Sequence, residues 1–145
     1  MPDTPGHDVF NHIGLCVTDL ERSQRFYEAL GFEFKRELRP PDEISGKLLG
    51  VDTPLGMTAV YLGLGAFILE LLHFDRPGNP PAVTRVMNEP GLTHISISAA
   101  DLRATLDRVR ELGGEVLDDT DIKLAVMIRD PDGQLVELLA GPMPS

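Results

Sequence analysis

Two histidines and two glutamates stand at matching places in the two halves of the sequence. His12 and Glu70 lie in apolar segments of the first half, and His94 and Glu137 lie in similar segments of the second. A charged Glu among leucines is costly to bury unless it is paired, neutralised or bound to a cation. Two imidazoles and two carboxylates can together bind a divalent ion such as Ni, Zn, Co, Mn or Fe. We therefore expect these four side chains to ligate one metal ion.

An internal repeat places these residues in register. At an offset of 82 residues, 11–20 aligns with 93–102, and the His and the Asp-Leu pair coincide. At an offset of 67 residues, 67–72 aligns with 134–139, so the second copy has a shorter connection before its last strand. Loops absorb such differences in length. Two copies with this long period predict a duplicated supersecondary unit and not a solenoid.

The first copy has the pattern of a strand, a helix and three further strands. A Thr18-x-x-Glu21 capping box follows the apolar segment 10–17 and predicts the start of the helix. Gly31 suits the end of that helix, where a left-handed residue is favoured. The strands are predicted at about 10–17, 32–38, 57–63 and 66–74. The segment 40–54 is predicted to be a loop on the substrate side.

The second copy repeats this order of elements. Asp101 is placed to cap its helix and Gly113 to end it. Its last hairpin is predicted to turn at 130–133, which is rich in turn-forming residues. The later strands are predicted at about 114–118, 123–129 and 134–140. We expect one α+β domain spanning 1–145, with two βαβββ modules at about 9–75 and 92–141 and a linker at about 76–91.

Strand alternation predicts which side chains share a face with the four candidate ligands. Successive residues of a strand point to opposite faces, and the apolar face of each first strand must pack on its helix. The opposite, concave face then carries His12 and Glu70 in one module and His94 and Glu137 in the other. The neighbours that share this concave face are Gly14, Cys16, Leu72 and Phe74 in the first module, and Ser96, Ser98, Leu135 and Leu139 in the second.

The composition excludes several classes of function. Thirteen Lys and Arg against 23 Asp and Glu give a net charge of −10, which repels nucleic acid and anionic membranes. The most apolar stretch, 60–74, is interrupted by Gly63, Gly65 and Glu70 and is far shorter than the roughly 20 residues of a membrane span. Cys16 is the only cysteine, so an internal disulfide and a cysteine-rich zinc site are excluded. We expect a cytoplasmic protein that acts on a small molecule.

The segments 10–32 and 130–139 resemble the vicinal oxygen chelate superfamily. The first reads FNHIGLCVTDLERSQRFYEALGF and the second reads DPDGQLVELL. This superfamily includes glyoxalase I, methylmalonyl-CoA epimerase, extradiol dioxygenases, fosfomycin-resistance transferases and metal-free bleomycin-binding proteins. The resemblance implies that the two modules pair into a cupped, partly closed mixed sheet. It includes pairing within one chain and exchange between two chains, and it favours a homodimer.

Bacterial glyoxalase I offers the most similar ligand set. Its His, Glu, His and Glu fall on His12, Glu70, His94 and Glu137, whereas fosfomycin enzymes and extradiol dioxygenases resemble a three-ligand pattern. Its glutathione contacts do not carry over, because Cys16 and Phe74 replace an Arg and an Asn. The resemblance therefore implies a metal-dependent lyase or isomerase but does not support glutathione as a cosubstrate.

The implied reaction moves a proton through an enediolate on a substrate with two vicinal oxygens. By the resemblance, Glu137 is our first choice for the catalytic base, and Glu70 is the alternative by pseudosymmetry. Arg36, Arg39, Lys47 and Lys123 are candidates for steering an anionic substrate, although such residues usually form a solvated surface. The expected substrate-binding residues are Cys16, Leu72, Phe74, Ser96 and Met127.

Two other functions are compatible with this superfamily. One is a metal-free module of the bleomycin-resistance type that sequesters a small molecule. The absence of Trp and an aromatic content of 6% weigh against it, because flat drugs bind to stacking surfaces. The other is an Fe(II) ring-cleaving dioxygenase, in which one of the two carboxylates would not be needed as a ligand.

Overall fold

The duplicated order of elements predicted from the sequence is present in the computed structural model, which describes residues 6–142. Residues 1–5 and 143–145 of the expected domain lie outside this description. The first module contains β1 (Ile13–Cys16), α1 (Leu20–Ala29), β2 (Glu33–Leu38), α2 (Asp42–Leu49), β3 (Met57–Leu64) and β4 (Phe67–Phe74). The second contains β5 (His94–Ala99), α3 (Leu102–Glu111), β6 (Glu115–Val116), a 3-10 turn (Asp118–Thr120), β7 (Ala125–Arg129) and β8 (Leu135–Ala140).

The strands form two separate four-stranded sheets with the same topology. Their orders are β1-β4-β3-β2 and β5-β8-β7-β6, and in each the first strand of the module runs parallel to the last. This confirms the α+β class and the duplication. Within residues 6–142 no strand ladder joins the two sheets, so they are not closed into one continuous sheet. The strands β1 and β5 are therefore both edge strands.

Asp side chains cap the two long helices. The carboxylate of Asp101 accepts a hydrogen bond from Ala104 N at 3.1 Å, as predicted, and that of Asp19 accepts from Arg22 N at 3.0 Å. The prediction that Thr18 caps α1 is wrong by one residue, because the Thr18 hydroxyl instead donates to Asp132 in the second module. A carboxylate one residue closer to the helix thus satisfies the free N–H groups of its first turn.

The helices α1 and α3 join the modules through a shared core. Phe26 of α1 is 1% exposed and Val109 of α3 is 1% exposed. A Cβ on Gly114 would lie 2.7 Å from each of these two side chains, so only glycine fits where the modules meet. The buried Tyr27 hydroxyl donates to Asp130 of the other module at 2.7 Å. One hydrophobic core therefore serves both sheets.

The segment 40–54 was predicted to be a loop, but it contains the helix α2. Asp42 carboxylate oxygens accept hydrogen bonds from Leu55 N at 3.1 Å and Gly56 N at 3.3 Å, which ties the start of the helix to the chain that follows it. Gly50 then ends the helix in the left-handed conformation, with φ of 66°. The prolines on both sides obscured this short helix in the sequence.

No helix between residues 6 and 142 has the length and apolar character needed to cross a bilayer.

Candidate functional site

The first candidate half-site is built on β1, β3 and β4. His12 Nε2 lies 3.4 Å from Glu70 Oε1, and Glu70 is only 9% exposed. The parallel pairing of β1 and β4 sets Gly14 directly opposite Glu70, which leaves room for the carboxylate between the strands. The hydroxyl of Tyr61 on β3 donates a hydrogen bond to Glu70 Oε2. One carboxylate oxygen therefore accepts a hydrogen bond from Tyr61, and the other faces the His12 ring.

The second candidate half-site occupies the equivalent place on β5 and β8. Ser96 lies opposite Glu137, and its hydroxyl donates to Glu137 Oε1 at 2.7 Å. His94 precedes Ser96 by two residues on the same face, as His12 precedes Gly14. Its ring nitrogen Nδ1 lies 2.8 Å from Thr93 Oγ1. Met127 on β7 lies opposite Glu137, where Tyr61 lies opposite Glu70.

Of the four predicted ligands, His12 and Glu70 are in contact, while His94 and Glu137 lie on the adjacent strands β5 and β8. Among the residues that the structure describes, no group of three or more His, Cys, Asp or Glu side chains is close enough to hold a metal ion. The convergence of His12, Glu70, His94 and Glu137 on one ion thus stays a prediction. Structural metal sites usually need about four ligands and catalytic ones about three from the protein. One pair is too few for either.

The His12–Glu70 pair nevertheless has the geometry of half a metal site. Adjacent ligands at about 2.1 Å in an octahedral or tetrahedral site are separated by about 3.0–3.5 Å. The 3.4 Å between His12 Nε2 and Glu70 Oε1 fits two such neighbouring positions. The residues present therefore fit a metal ion if the two half-sites are brought together.

A small cavity lies between α2 and the concave face of the first sheet. Its volume is about 280 Å³, and His12, Tyr61 and Glu70 form its polar end. The remaining walls are mostly apolar and come from β2, the segment after it, α2, β3 and β4: Leu38, Pro40, Ile44, Ser45, Leu48, Leu49, Met57, Ala59 and Leu72. The predicted substrate-binding residue Leu72 is thus in the cavity wall.

Tyr61 was not identified from the sequence. Burial and, next, its hydrogen bond to Glu70 raise the pKa of Tyr61, which keeps the hydroxyl a proton donor to that carboxylate. The guanidinium carbon of Arg36 on β2 lies 4.9 Å from the centre of the Tyr61 ring. Strand alternation assigns Tyr61 to a face of the sheet but does not tell which residue of the neighbouring strand it lies opposite. Its position opposite Glu70 depends on the turn at Gly65 and Ala66, which sets the hairpin register.

The other predicted substrate-binding residues are dispersed. Ser96 and Met127 adjoin Glu137 in the second half-site. Phe74 lies opposite Met57 at the end of β4, beyond Leu72. Cys16 lines a different cavity, near Asp132 at the junction of the modules. Burial and then the Asp132 carboxylate raise the pKa of the Cys16 thiol, which disfavours the nucleophilic thiolate.

The sequence matches the glyoxalase/bleomycin resistance protein/dioxygenase superfamily over residues 9–138. The chain belongs to this family, as the duplicated βαβββ modules with their paired His and Glu residues indicate.

Two relatives of known name match most of the chain. An ethylmalonyl-CoA/methylmalonyl-CoA epimerase from Cereibacter sphaeroides is 30% identical over 138 residues, which cover 88% of this chain and 94% of that protein. A probable lactoylglutathione lyase from a Synechocystis species is 27% identical over 144 residues, with 88% and 92% covered. These similarities support an enzyme of this superfamily.

A solved structure supports the fold. The glyoxalase family protein APC24694 from Bacillus cereus superposes with a TM-score of 0.79 and covers 95% of this chain and 98% of its own. Its sequence is 17% identical, so the similarity concerns the fold alone.

Proposed function

We propose that this protein is a metal-dependent lyase or isomerase of the glyoxalase I type, which moves a proton at a carbon next to a carbonyl through an enediolate. The observation that carries the proposal is the recurrence of one His and one Glu at equivalent places in both modules. The names of the two relatives, an epimerase and a lactoylglutathione lyase, are consistent with such a reaction. The natural substrate would be a small molecule with two vicinal oxygens.

His12, Glu70, His94 and Glu137 would hold the metal. A divalent ion bound there would stabilise the negative charge that develops on a substrate oxygen. The donor set of two nitrogens and two oxygens suits Ni, Zn, Co, Mn or Fe, so the residues do not select one of these metals.

The two carboxylates would have different duties. Glu70 accepts a hydrogen bond from Tyr61 on one oxygen, its other oxygen lies 3.4 Å from His12 Nε2, and it is only 9% exposed, so its position is constrained. Glu137 has a hydroxyl partner, Ser96, on one oxygen. A base must accept a proton and release it again, and the less constrained carboxylate can do so with less reorganisation. This favours Glu137 as the base and Glu70 as the fixed ligand.

The two half-sites would meet across the edge strands β1 and β5. These strands each carry one of the two His residues at or beside their first residue. Within one chain the two edges lie side by side, because Ile13 and Leu15 line the same small cavity as His94 and Ile95. We therefore propose a homodimer and two arrangements of its sites, one with both half-sites from the same chain and one with half-sites exchanged between the chains.

Metal analysis of protein purified without chelator tests the proposal. We expect about one transition metal ion per chain by mass spectrometry, in accord with one four-ligand site per chain. Glu70→Gln and Glu137→Gln should each lower the metal content severalfold, because each removes an anionic ligand. Glu111→Gln, an exposed change at the end of α3, is the matched control. Metal content that both ligand variants leave unchanged would contradict the proposed site.

Co-expression of Glu70→Gln with Glu137→Gln tests the exchanged arrangement. If the half-sites meet between chains, a mixed dimer contains one intact site and one site that lacks both glutamates. Metal binding should then recover to about one ion per mixed dimer. If the half-sites meet within each chain, every site lacks one glutamate and nothing is recovered.

The second candidate is a metal-free small-molecule binding protein. It is favoured by the separation of the ligand pairs within the described part of the chain. Failure to bind Ni, Zn, Co, Mn or Fe under any loading condition, together with retained fold, would select this function.

A further inference from the structure

We propose that the cavity beneath α2 binds the alkyl or aryl group of a small carboxylate substrate, and that Arg36 binds its carboxylate. This inference names the substrate class of the first half-site, and it depends on the proposed function only for what happens at the reactive end. Four features of the first module carry it: the chemistry of the cavity walls, the cavity volume, the exposure of α2 and the position of Arg36.

The cavity separates an apolar interior from a polar end. Leu72, Ala59 and Met57 form its floor on the sheet, and α2 contributes Ile44, Leu48 and Leu49. A polar substituent would lose its hydration there without gaining hydrogen-bond partners. An apolar substituent would instead be stabilised, because it and the apolar walls are both removed from water. His12, Tyr61 and Glu70 at one end would face the reactive part of the molecule.

The volume limits the size of the apolar group. About 280 Å³ is at the small end of ligand cavities. At about 30 Å³ for each water-sized group, it accommodates roughly nine such groups. A short alkyl chain or a single aromatic ring fits this space, and a longer chain would extend beyond it.

The apolar side of α2 is uncovered. Ile44 is 64% exposed and Leu48 is 81% exposed, although both line the cavity. The helix is anchored at its beginning through Asp42 and at Gly46, where an added Cβ would lie 2.9 Å from the carbonyl oxygen of Val51. An apolar ligand would cover these side chains without requiring the helix to form anew.

Arg36 is the cation that is positioned for an anionic group. Its guanidinium stacks on the ring of Tyr61, whose hydroxyl contacts Glu70, so it lies beside the polar end of the cavity. Within residues 6–142 Arg36 forms no salt bridge, whereas Arg39, just after β2, pairs with Glu37. A planar guanidinium is suited to bind a carboxylate through two parallel hydrogen bonds.

The overall charge makes this arrangement selective. A chain with a net charge of −10 repels anions on average, so a carboxylate needs a local cation to bind. The carboxylate on Arg36 and the apolar group in the cavity would then orient the reacting carbon between them.

Binding of simple carboxylates to chelator-treated protein tests the inference without requiring metal or turnover. Acetate, butyrate and hexanoate are titrated by NMR, with 1-hexanol and hexylamine for comparison. Affinity should rise by up to about fourfold for each added methylene, and hexanoate should bind at least tenfold more tightly than acetate. Hexylamine should bind more weakly than hexanoate.

Two pairs of variants separate the two parts of the site. Arg36→Met should weaken hexanoate about tenfold and leave 1-hexanol unchanged, while Arg39→Met should change neither. Leu49→Asp should abolish the dependence on chain length, while Ile122→Asp, an exposed apolar position in the second module, should preserve it.

Three results would overturn the inference: hexanoate binding no tighter than acetate, equal binding in Arg36→Met, or no binding at roughly 50 mM. None of these depends on metal. If the chain never binds metal but binds hexanoate through Arg36, the proposed function fails and this inference stands. If metal binds in the predicted way and the carboxylates show no discrimination, this inference fails and the proposed function stands.

Discussion

The two modules have the same strand order but differ in the segments that surround their half-sites. Between β2 and β3 the first module inserts α2, which encloses a cavity beside Glu70. Between β6 and β7 the second module has only a 3-10 turn, and its half-site on β5 and β8 carries an exposed His94. Duplication thus preserved one His and one Glu in each module, whereas the connecting segments diverged around them.

The same contrast extends to the partners of the two glutamates. Tyr61 and His12 hold Glu70, while Ser96 contacts Glu137. The more buried carboxylate, Glu70, is suited to the proposed role of a fixed ligand, and the more exposed Glu137 is suited to proton transfer. In the proposed site, two modules that arose by duplication would thus supply different functions, metal binding by Glu70 and proton transfer by Glu137.

Gly114→Ala is expected to have the largest effect, because it disrupts the contact that both modules share. The new methyl group would meet Phe26 and Val109 at 2.7 Å and the carbonyl oxygen of Arg129 at 2.9 Å. Overpacking of this kind should lower the free energy of unfolding by about 3 kcal/mol. Urea denaturation of the variant and the unmodified protein measures this difference in the free energy of unfolding.

Gly46→Ala is the matched control for that variant. Its methyl group would meet Val51 O at 2.9 Å, but the strain falls on α2 and the segment that follows it, away from the junction of the modules. Hydrogen exchange should accelerate in α2 and remain unchanged in α1 and α3. Equal global destabilisation by the two variants would show that the insertion is as integral to the fold as the junction.

Tyr27→Phe should have an intermediate effect, because it removes one bond across the junction. The hydroxyl of Tyr27 donates to Asp130, which is 3% exposed, and its loss should cost about 1–2 kcal/mol at neutral pH. Tyr61→Phe, which removes a hydroxyl from the half-site, should change the stability much less. Thermal or urea unfolding of both variants checks the comparison.

The effect of Tyr27→Phe should depend on pH. Burial raises the pKa of Asp130 above its usual 3.8, while the bonds from Tyr27 and the backbone lower it. A raised pKa in the fold means that stability is lost as pH rises through that value. Without the Tyr27 hydroxyl the pKa of Asp130 in the folded protein rises further. The variant should therefore be less destabilised below pH 3.8 than at neutral pH, because Asp130 is then protonated in both the folded and the unfolded state. A cost that does not change with pH would contradict this.

Arg103→Met should have the smallest effect, confined to the short connection of the second module. The hydrogen bond from Arg103, followed by that from Lys123 N, lowers the pKa of Asp121 to about 2. Carbon-detected NMR should show that pKa moving up toward 3.8 in the variant. Arg110→Met, which breaks exposed pairs with Asp107 and Asp118, should leave it unchanged.

The sequence predicted most of the regular elements, because the repeat provided two independent readings of each. The observed β4 at Phe67–Phe74 and β8 at Leu135–Ala140 lie within a residue of the predicted 66–74 and 134–140. Short elements without a repeat partner were missed: α2 has none, and a helix of eight residues between prolines has little hydrophobic periodicity of its own.

The candidate site was partly predictable for the same reason. His12 and Glu70 recur as His94 and Glu137 at fixed offsets, and strand alternation placed each pair on one face. In the second copy Met127 stands at the place of Tyr61, and Arg36 has no arginine counterpart, so neither the repeat nor alternation could associate Tyr61 and Arg36 with Glu70.

The sequence by itself determined the two βαβββ modules, the Asp101 cap of α3 and the recurrence of one His and one Glu in each module, because periodicity and local hydrogen bonding depend on neighbours along the chain. The tertiary structure decided what those pairs face. Hairpin register brought Tyr61 to Glu70, and the packing of α1 on α3 left β1 and β5 at the edges of separate sheets. The folding of α2 onto β3 and β4 made the cavity. All three features depend on contacts between residues that are far apart in sequence, and local sequence patterns do not determine the geometry of such contacts.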